Sequence, residues 1–495
     1  MRLLKKYPFF ILTLPLFFIV HGAVENKGQI PLGDGLILWA TYILTSAILV
    51  GLFYGLFKSL HKAALAVFVL MSFHLFFGAL HDWLKQVVIF PILTKYVFIL
   101  SLFLLLLVAF LWWLKKSKRV DRGIYFLNLL FVFLIVIEGV GFLYNSVYGK
   151  SKEEKLHLRQ DITDYIKTAK IPDSINKPDI YITILDEYAG KQQLSEGYNY
   201  DNSPFINNLL QRGFQVSDGS ISNYNATIYS TSSLFSAQFM DSAHVANSAM
   251  GFNHSRKLIN DNPIISFFEN NGYQFYNQSI FRVRDQASPN VEGFVPSKTD
   301  VITQATLLSR LRKDVFLNIA TRYNIDWYLK KEKYAAGKNN KMAADETLAI
   351  SNMESSKPKI VYTHLLMPHY PYYNDSTGRE LTFSELKKQQ FNDKNAYLSY
   401  LKYTNKVVLS YLDSLLANTK KQAIIILLSD HGNRYLPNEK EKLLYSNLLS
   451  IYTPPTVSFL LADSVSNVNV FPLLLNNMFH FNLPLQSNNI YKFAY

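Results

Sequence analysis

Apolar residues are concentrated in long uninterrupted stretches at the start of the chain and in short runs further along it. Before residue 145, five stretches reach or approach the length of roughly 20 apolar residues that an α-helix needs to cross a bilayer. They are Tyr7–Val24, Leu36–Phe57, Ala63–Leu80, Tyr96–Leu114 and Ile124–Tyr144. The pattern predicts a multi-pass α-helical membrane domain with five spans over residues 1–147.

The distribution of basic residues between alternate loops predicts the orientation of these spans. Loops on the side of the N-terminus hold ten Lys and Arg residues, against three on the other side. Since translocation of basic residues is disfavoured, the N-terminus is expected in the cytoplasm, and five crossings place everything after Tyr144 outside it. The basic N-terminus also fits a signal peptide, but His21-Gly22-Ala23 is a weak cleavage site, which favours a retained helix.

Two polar residues lie inside the predicted spans, Glu138 in the fifth and His74 in the third. A charge at membrane depth is costly, so each is a candidate functional residue. A helix-to-helix hydrogen bond is the structural alternative, and it is the preferred one.

After the last span, residues 148–176 mix charges with apolar residues at helical spacing. This spacing predicts a juxtamembrane linker helix that lies near the membrane surface. A solvated connector is the alternative.

From about Lys177 the pattern changes to short apolar runs separated by longer amphipathic stretches. Continuous β-rich runs of this length suit strands buried on both faces, and their alternation with helices indicates a mostly parallel sheet. The predicted strands are Asp179–Leu185, Gln274–Phe281, Ile360–Leu366, Ala423–Leu428 and Thr456–Leu461, and the predicted helices include Asn202–Arg212, Ile259–Asn270 and Asn395–Asn418. Residues 177–495 are therefore expected to form an extracytoplasmic three-layer α/β domain.

The composition mainly excludes certain kinds of site and partner. The 495 residues include no cysteine, which rules out disulfides, thiolate metal sites and a cysteine nucleophile. A net charge of +13 would suit nucleic-acid binding only if a folded domain carried a basic patch interleaved with aromatic residues. The densest basic clusters flank apolar spans instead, so no nucleic-acid partner is expected.

Polar residues follow the predicted strands at the place where chemistry gathers in parallel sheets, beyond the carboxyl ends. Asp186-Glu187 follows the first run, Asp430-His431 follows the run AIIILL, and the segment IVYTHLLMPHYP carries His364 and His369. Carboxylates and imidazoles presented together are the ligands of a zinc, manganese or magnesium site. A single pair often only caps a turn, but three clusters on separate strands predict a shared divalent-metal site.

The segment from Ser222 to Phe235 has the pattern of a loop that enters a helix, with Thr227 near the helix N-terminus. Backbone N–H groups favour an anion there, and a hydroxyl that touches a metal can ionise into a nucleophile. A plain N-cap is the alternative, since threonine caps many helices. Spacing alone favours the cap.

Four sequence pieces, in this order, resemble the alkaline phosphatase superfamily in its sulfatase-like branch. They are PDIYITILDEY at 178–188, SNYNATIYSTSSLFS at 222–236, HLLMPHYPY at 364–372 and LLSDHGNR at 427–434. Ser-Asp-His-Gly after a hydrophobic strand is the most specific piece, and the resemblance covers roughly residues 177–485. With its five-span anchor, the chain resembles the membrane-anchored phosphoglycerol transferases (lipoteichoic acid synthases) and the lipid A phosphoethanolamine transferases of that branch.

The resemblance implies roles for individual residues. His364 and His369 resemble a histidine pair that lies near the substrate or a second metal, and they are candidate catalytic residues. Glu187 matches the second acid of the sulfatase acid pair, which the transferase branches lack, so it is a weaker candidate ligand. The resemblance also implies one metal site that includes the threonine nucleophile: Asp186, Thr227, Asp430 and His431.

The resemblance and the anchor together predict a metal-dependent phosphoryl-group transferase in the plasma (inner) membrane. It would take a phospho-head group from a phospholipid donor and pass it to a glycan or lipid acceptor of the cell envelope. Arg282 and Arg284 would grip the phosphate, or else form a solvated pair at a strand end. A phosphodiesterase, a phosphatase-type or sulfatase-like hydrolase, and a non-catalytic membrane scaffold are the alternatives. Formylglycine-dependent sulfate-ester hydrolysis is disfavoured, because the chain has no Cys and no Ser in a Pro-Ser-Arg context.

Overall fold

The structure, a computed structural model, describes residues 2–25, 30, 32–87, 90–147, 160–240, 249–284, 286, 288–289, 299–323, 325–435 and 438–492. Its contacts divide the chain into two units. We call Met1–Glu154 with Glu292–Ile325 the membrane unit, and Lys155–Val291 with Asp326–Tyr495 the α/β unit. Within this division, residues 299–323 group with the membrane helices and not with the sequence on either side of them.

The membrane unit begins with the helices α1 (Arg2–Lys6), α2 (Phe10–Glu25), α3 (Leu32–Phe57), α4 (Leu60–Val87), α5 (Tyr96–Lys116) and α6 (Asp121–Val147). Among the described residues, four helices, α3 to α6, are long and apolar enough to cross a membrane. The predicted five spanning helices are therefore corrected to four of spanning length. The first predicted span forms α2, whose 16 residues extend only about 24 Å. The prediction of a multi-pass α-helical membrane domain is confirmed.

Helix α2 runs alongside α6 in the same direction. The backbone N–H of Phe10 donates to Asn128 Oδ1 at 2.8 Å, and about three turns further on His21 Nδ1 lies 2.7 Å from Glu138 Oε1. Glu138 therefore forms a hydrogen bond between two helices, which was the structural alternative to a functional role. His74 packs edge-on against an aromatic ring of α3, with ring centroids 6.0 Å apart.

One end of this helix bundle is defined by His61 at the start of α4. Its Nε2 lies 2.9 Å from the carbonyl oxygen of Lys6, and its Nδ1 lies 2.9 Å from Asp121 Oδ1 at the start of α6. The ammonium of Lys62 donates to the carbonyl of Lys115, in the last turn of α5, at 3.2 Å. We call this the basic end of the bundle, after Lys6, Lys62 and Lys115.

The remaining helices and strands follow in chain order. They are α7 (Gln160–Thr168), β1 (Ile180–Leu185), α8 (Ser203–Gln211), β2 (Gln215–Val216), α9 (Thr227–Ser236), α10 (Ala249–Asn260), α11 (Pro263–Asn270), β3 (Gln274–Gln278), α12 (Asp300–Thr303), α13 (Leu307–Leu311), α14 (Leu317–Tyr323), α15 (Asp326–Asn352), β4 (Lys359–Leu365), α16 (Phe383–Lys388), α17 (Lys394–Asn418), β5 (Ile424–Ser429), β6 (Leu449–Tyr452) and α18 (Val470–Phe479). Of these, α12 to α14 belong to the membrane unit.

A six-stranded sheet in the order β2-β6-β5-β1-β4-β3 forms the centre of the α/β unit. Strands β5, β1, β4 and β3 are parallel, and β6 and β2 extend the sheet in antiparallel pairings. Every residue of β1, β4 and β5 is buried, as the continuous apolar runs predicted. The predicted α/β domain with a mostly parallel central sheet is confirmed.

Two hydrophobic clusters cover the two faces of this sheet, because side chains of a strand alternate in direction. Ile182 of β1 belongs to the cluster that contains Phe235 of α9 and Phe471 of α18. Its neighbour Tyr181 belongs to the other cluster, with Leu412 of α17. This arrangement is the three-layer sandwich that the alternation of strands and helices predicted.

Two local predictions differ from the structure, and the linker prediction falls only partly on described residues. Residues 456–461, all of them described, are irregular; the strand in this region is β6, which ends before Pro454-Pro455. Gln215 of β2 hydrogen-bonds the backbone of Phe459 and Leu461, so this segment is held by a side chain and not by a sheet partner. The predicted helix Ile259–Asn270 is divided where Asn262 caps α11. Of the linker, 160–168 is helical and 148–159 lies outside the described residues.

Candidate metal centre and active site

Three neighbouring parallel strands bring Asp186, His364 and Asp430 together. Asp186 follows β1, Asp430 follows β5, and His364 lies near the end of β4, opposite Ile184 in the register. One ligand atom from each residue lies within 4.8 Å of the other two, and all three side chains are buried. The shared edge of the sheet thus assembles two carboxylates and one imidazole into a single group.

The unpaired atoms of this group fit a divalent cation. Asp186 Oδ1, His364 Nε2 and Asp430 Oδ2 are buried and have no hydrogen-bond partner among the described residues. Burial of such atoms without a partner is costly, so their convergence calls for a bound group, and carboxylate oxygens with imidazole nitrogen suit zinc or manganese. The hydroxyl of Tyr362 lies 3.0 Å from His364 Nδ1, which orients the ring so that Nε2 points into the group.

The other carboxylate oxygen of Asp430 is held by the backbone. Asp430 Oδ1 accepts hydrogen bonds from the N–H of Glu187 at 3.1 Å and from the N–H of His431 at 2.8 Å. Glu187 has a φ of 59°, a left-handed conformation that non-glycine residues adopt rarely. That conformation turns its N–H toward Asp430, so the chain accepts local strain to fix the direction of this carboxylate.

His431 lies between Asp430 and Thr227. Its Nδ1 is 2.8 Å from the carbonyl of Gly432, which can only accept, so Nδ1 carries a proton and Nε2 presents a lone pair. Nε2 lies 3.2 Å from Asp430 Oδ2 and 3.3 Å from Thr227 Oγ1. The imidazole therefore joins the predicted nucleophile to the three-residue group.

Thr227 occupies the first turn of α9. The N-cap of that helix is Ala226, a residue without a capping side chain, so the hydroxyl of Thr227 is available for the contact with His431. Thr227 is half-buried, whereas Ile228 to Ser236 of α9 are all buried. The half-buried start of this otherwise buried helix thus places a hydroxyl and backbone N–H groups beside the candidate metal ligands.

The charges of the site shift two pKa values. Burial by itself would raise the pKa of Asp186, but the nearby imidazoles of His369, His364 and His431 outweigh burial and hold that pKa below its ordinary value. Burial would likewise lower the pKa of His369, but the negative charges of Asp186 and Glu187 outweigh it and raise the pKa. A raised pKa increases the fraction of His369 that carries a proton to donate at neutral pH.

Glu187 points away from the group of three and toward Arg434. Its buried carboxylate accepts a hydrogen bond from Arg434 Nε, and Arg434 Nη2 lies 3.0 Å from His369 Nε2. Arg434 was not singled out from the sequence, although it ends the quoted motif LLSDHGNR. Its position four residues after a strand-end acid gives no local signal, because its two partners come from distant parts of the chain.

A buried asparagine supports the loop that carries Asp430. Asn467 Nδ2 donates to the carbonyls of Ser429 and Asp430, each at 3.0 Å, and Asn467 Oδ1 accepts from Asn447 at 2.9 Å. Ser230 of α9 donates to the same Asp430 carbonyl. Sequence reasoning did not find Asn467, because an isolated asparagine before a helix has the pattern of an ordinary turn.

The two predicted phosphate-binding arginines have different surroundings. Arg284 donates to Glu269 at 2.7 Å and to Asp261 at 3.0 Å, so its guanidinium is paired with two acids of α11 and its preceding loop. Arg282 is half-buried, and its neighbour Phe281 packs edge-on against the His364 ring with centroids 6.0 Å apart. The residue next to Arg282 therefore contacts the site, whereas Arg284 is paired with two acids outside it.

Comparison with known proteins adds a family and several similar folds. Residues 180–450 match the family model described as Sulfatase. No curated protein sequence matches the chain. Among solved structures, the C-terminal periplasmic domain of EcEptC from Escherichia coli is similar at 14% identity and a TM-score of 0.38, with 62% of this chain and 84% of that chain covered.

Two further structures are similar at the same level. The C-terminal periplasmic domain of phosphoethanolamine transferase EptC from Campylobacter jejuni has 16% identity and a TM-score of 0.35, covering 62% of this chain and 91% of that chain. The phosphonate monoester hydrolase of Agrobacterium radiobacter has 13% identity and a TM-score of 0.37, covering 61% of this chain and 73% of that chain. The similar structures thus include both a transferase and a hydrolase.

Proposed function

Because this chain belongs to the sulfatase family, we propose that it is a membrane-anchored, metal-dependent phosphoryl-group transferase with Thr227 as its nucleophile. The observation that carries the proposal is the 3.3 Å contact of Thr227 Oγ1 with His431 Nε2, beside three buried ligand atoms without partners. A hydroxyl in that position has the surroundings of an activated nucleophile.

The proposed metal ligands are the group of three, with His431 Nε2 and Thr227 Oγ1 at its edge. A divalent cation held there would lower the pKa of the Thr227 hydroxyl and neutralise phosphate oxygens. The backbone N–H groups at the start of α9 would contact the remaining phosphate oxygens, because they have no acceptor within the helix. Glu187 is proposed as a positioning residue for Arg434 and His369.

The reaction proceeds in two displacements. The deprotonated Thr227 oxygen attacks phosphorus, which forms a phosphothreonine and breaks the bond to the alcohol of the lipid donor. His369, whose pKa is raised, is the proposed proton donor to the leaving oxygen once Arg434 no longer occupies its Nε2. A hydroxyl of the envelope acceptor then attacks the phosphothreonine, its proton passes to His369, and Thr227 is released.

Transfer is proposed over hydrolysis because of the membrane unit. A soluble substrate needs no multi-pass anchor, whereas a phospholipid donor is presented at the membrane surface itself. The chain has no Cys to convert to formylglycine, and a threonine takes the place of that nucleophile, so sulfate-ester hydrolysis by that route is not proposed. Water in place of the acceptor would make the same site a phosphodiesterase.

We place the protein in the plasma (inner) membrane with its basic end in the cytoplasm. Lys6, Lys62 and Lys115 meet at that end, and basic residues are retained on the cytoplasmic side. Helix α6 starts at the same end, where Asp121 lies beside His61, and runs away from it. The end of α6 and the α/β unit that follows it in sequence then lie outside the cytoplasm.

Covalent trapping tests this proposal. Full-length protein in nanodiscs is given phosphatidylglycerol or phosphatidylethanolamine with isotope-labelled head groups, quenched in acid and mapped by peptide mass spectrometry. We expect a labelled phospho-head group on Thr227, no adduct in Thr227→Val, and an adduct that persists in Thr231→Val, one turn further along α9. An adduct on another residue, or turnover in Thr227→Val, would contradict the proposed nucleophile.

Product analysis separates transfer from hydrolysis in the same samples. Labelled head group attached to an added glycan or lipid acceptor, with diacylglycerol released, supports transfer. Free phospho-head group as the sole product, with acceptor present, would establish the phosphodiesterase alternative. Release of neither product from any lipid, with no adduct, would favour the non-catalytic scaffold.

A further inference from the structure

A segment inserted between β3 and α15 belongs to the membrane unit. Its described part, residues 299–323, contains α12, α13 and α14, with the π-helical turn Arg312–Phe316 between the last two. In the sequence, residues of the α/β unit both precede and follow this segment. Its side chains nevertheless contact α2, α4 and α5, so tertiary contacts, and not chain neighbours, determine where it lies.

The apolar contacts of this segment are close. Ile302 is 5% exposed and packs in the hydrophobic cluster of the helix bundle. A Cβ on Gly22 of α2 would lie 2.2 Å from Ile302 Cγ2, so this approach requires a glycine. The backbone N–H of Gly78 in α4 donates to the carbonyl of Ala305 at 2.7 Å. The segment is thus in direct contact with the backbone of α2 and α4.

Two polar contacts join the same elements. Arg310 Nη2 lies 2.6 Å from Asp82 Oδ2 of α4, and the hydroxyl of Tyr96, at the start of α5, donates to Asp314. All of these partners lie near the ends of α2 and α4 or at the start of α5. This is the end of the bundle opposite to the basic end.

Several large apolar side chains of the segment are exposed. Leu308 is 62% exposed, Phe316 48%, Ile319 39% and Tyr323 69%. Ile319 and Tyr323 are four residues apart on α14 and therefore lie on one face. Soluble surfaces rarely expose several large apolar side chains in one place, so this face indicates a partner.

We propose that residues 299–323 form an interfacial membrane element whose apolar face is inserted among the head groups and upper acyl chains of the bilayer. The proposal rests on the position of this segment next to the exposed apolar ends of the spanning helices α4 and α5. At the same end of the bundle, the end of α4, the turn after it and the start of α5 expose Trp83, Phe90, Ile92 and Val97. Aromatic and apolar side chains at the end of spanning helices mark the membrane–water interface, and an amphipathic helix there is buried about 5–10 Å deep.

The absence of native cysteine makes the test direct, because single cysteines can be labelled without background. Full-length Phe316→Cys and Ile319→Cys are labelled with an environment-sensitive fluorophore and reconstituted at one copy per nanodisc. Nanodiscs with lipids brominated near the head group are compared with unbrominated ones. Phe391→Cys is the matched control, since Phe391 has a similar exposure of 52% but belongs to the α/β unit.

We expect blue-shifted emission and quenching by brominated lipid at 316 and 319, and water-like emission without such quenching at 391. Quenching of the 316 and 319 labels by aqueous iodide to the same extent as at 391 would overturn the proposal. Shielding that needs two copies per nanodisc, without quenching by brominated lipid, would also overturn it and would assign this face to a second copy. Leu308→Cys replaces either variant that fails to give the wild-type unfolding transition, and no outcome depends on catalysis.

Discussion

The substitution Asp430→Asn changes the charge of the candidate metal centre while leaving its hydrogen bonds in place. Asp430 Oδ1 accepts from the backbone N–H of Glu187 at 3.1 Å and of His431 at 2.8 Å, and an amide oxygen accepts both in the same way. The amide nitrogen then replaces Oδ2, the candidate ligand atom, and does not bind a cation. The variant thus loses one ligand and one negative charge without creating a cavity.

Two opposite effects on the free energy of unfolding follow from the geometry. The ligand atoms of Asp186 and Asp430 lie within 4.8 Å of each other, where two like charges repel by about 3 kcal/mol at an effective dielectric constant of about 20. The neighbouring imidazoles offset part of this repulsion, so without metal we expect the variant to be more stable by about 1–2 kcal/mol. With metal at about 100 times its Kd, the wild type gains about 2.7 kcal/mol, and the variant gains far less.

Calorimetric unfolding of the full-length protein measures both effects. Samples are stripped with EDTA and then supplied with zinc, manganese or magnesium in turn. We expect Asp430→Asn to unfold at a higher temperature than the wild type in EDTA and at a lower one with the cognate metal. This reversal of order is a sharper result than a loss of activity, because a generally damaged protein would be less stable under both conditions.

A matched control makes the same chemical change at the surface. Asp413→Asn removes a carboxylate that lies 2.7 Å from Arg212 in an exposed ion pair, whose contribution to stability is about 0–1 kcal/mol. Its small shift should be equal with and without metal. A loss of stability of Asp430→Asn in EDTA, or an equal response of variant and wild type to metal, would refute the assignment of Asp430 as a ligand.

Three further predictions test the nucleophile, the support of the metal loop and the topology. Thr227→Ala should lower diacylglycerol release about 10³-fold or more, while Thr227→Ser should keep measurable activity; full activity in Thr227→Ala would exclude the mechanism. Asn467→Ala should cost about 1–3 kcal/mol in chemical denaturation and weaken metal binding about 10–100-fold in titrations, since two loop carbonyls each lose one of their donors. A reporter fused after Tyr144 should be active only outside the cytoplasm and one near Lys118 only inside; cytoplasmic activity after Tyr144 would rule out an envelope substrate.

Periodicity predicted the fold class because it depends on burial, which each segment shows by itself. Long apolar stretches have too few polar groups to form a soluble surface, and short continuous runs fit strands covered on both faces. The same argument failed at 456–461, where Phe459 and Leu461 are buried but Leu460 is exposed, and two preceding prolines end the strand region. The argument from periodicity also counted α2 as a full span, because apolar composition does not determine at which residue a helix starts and therefore how long it is.

The sequence by itself determined where Asp186 and Asp430 lie, because parallel strands end at one edge of a sheet and both acids follow such strands. Only the tertiary structure decided which side chains share the group: His364 joins them from β4, while Glu187 turns to Arg434. It also decided that residues 299–323 pack with the membrane helices. The physical reason is the same for both: local sequence sets which residues are buried and how a strand or helix runs, whereas a partner contributed from another part of the chain depends on how the elements pack in three dimensions.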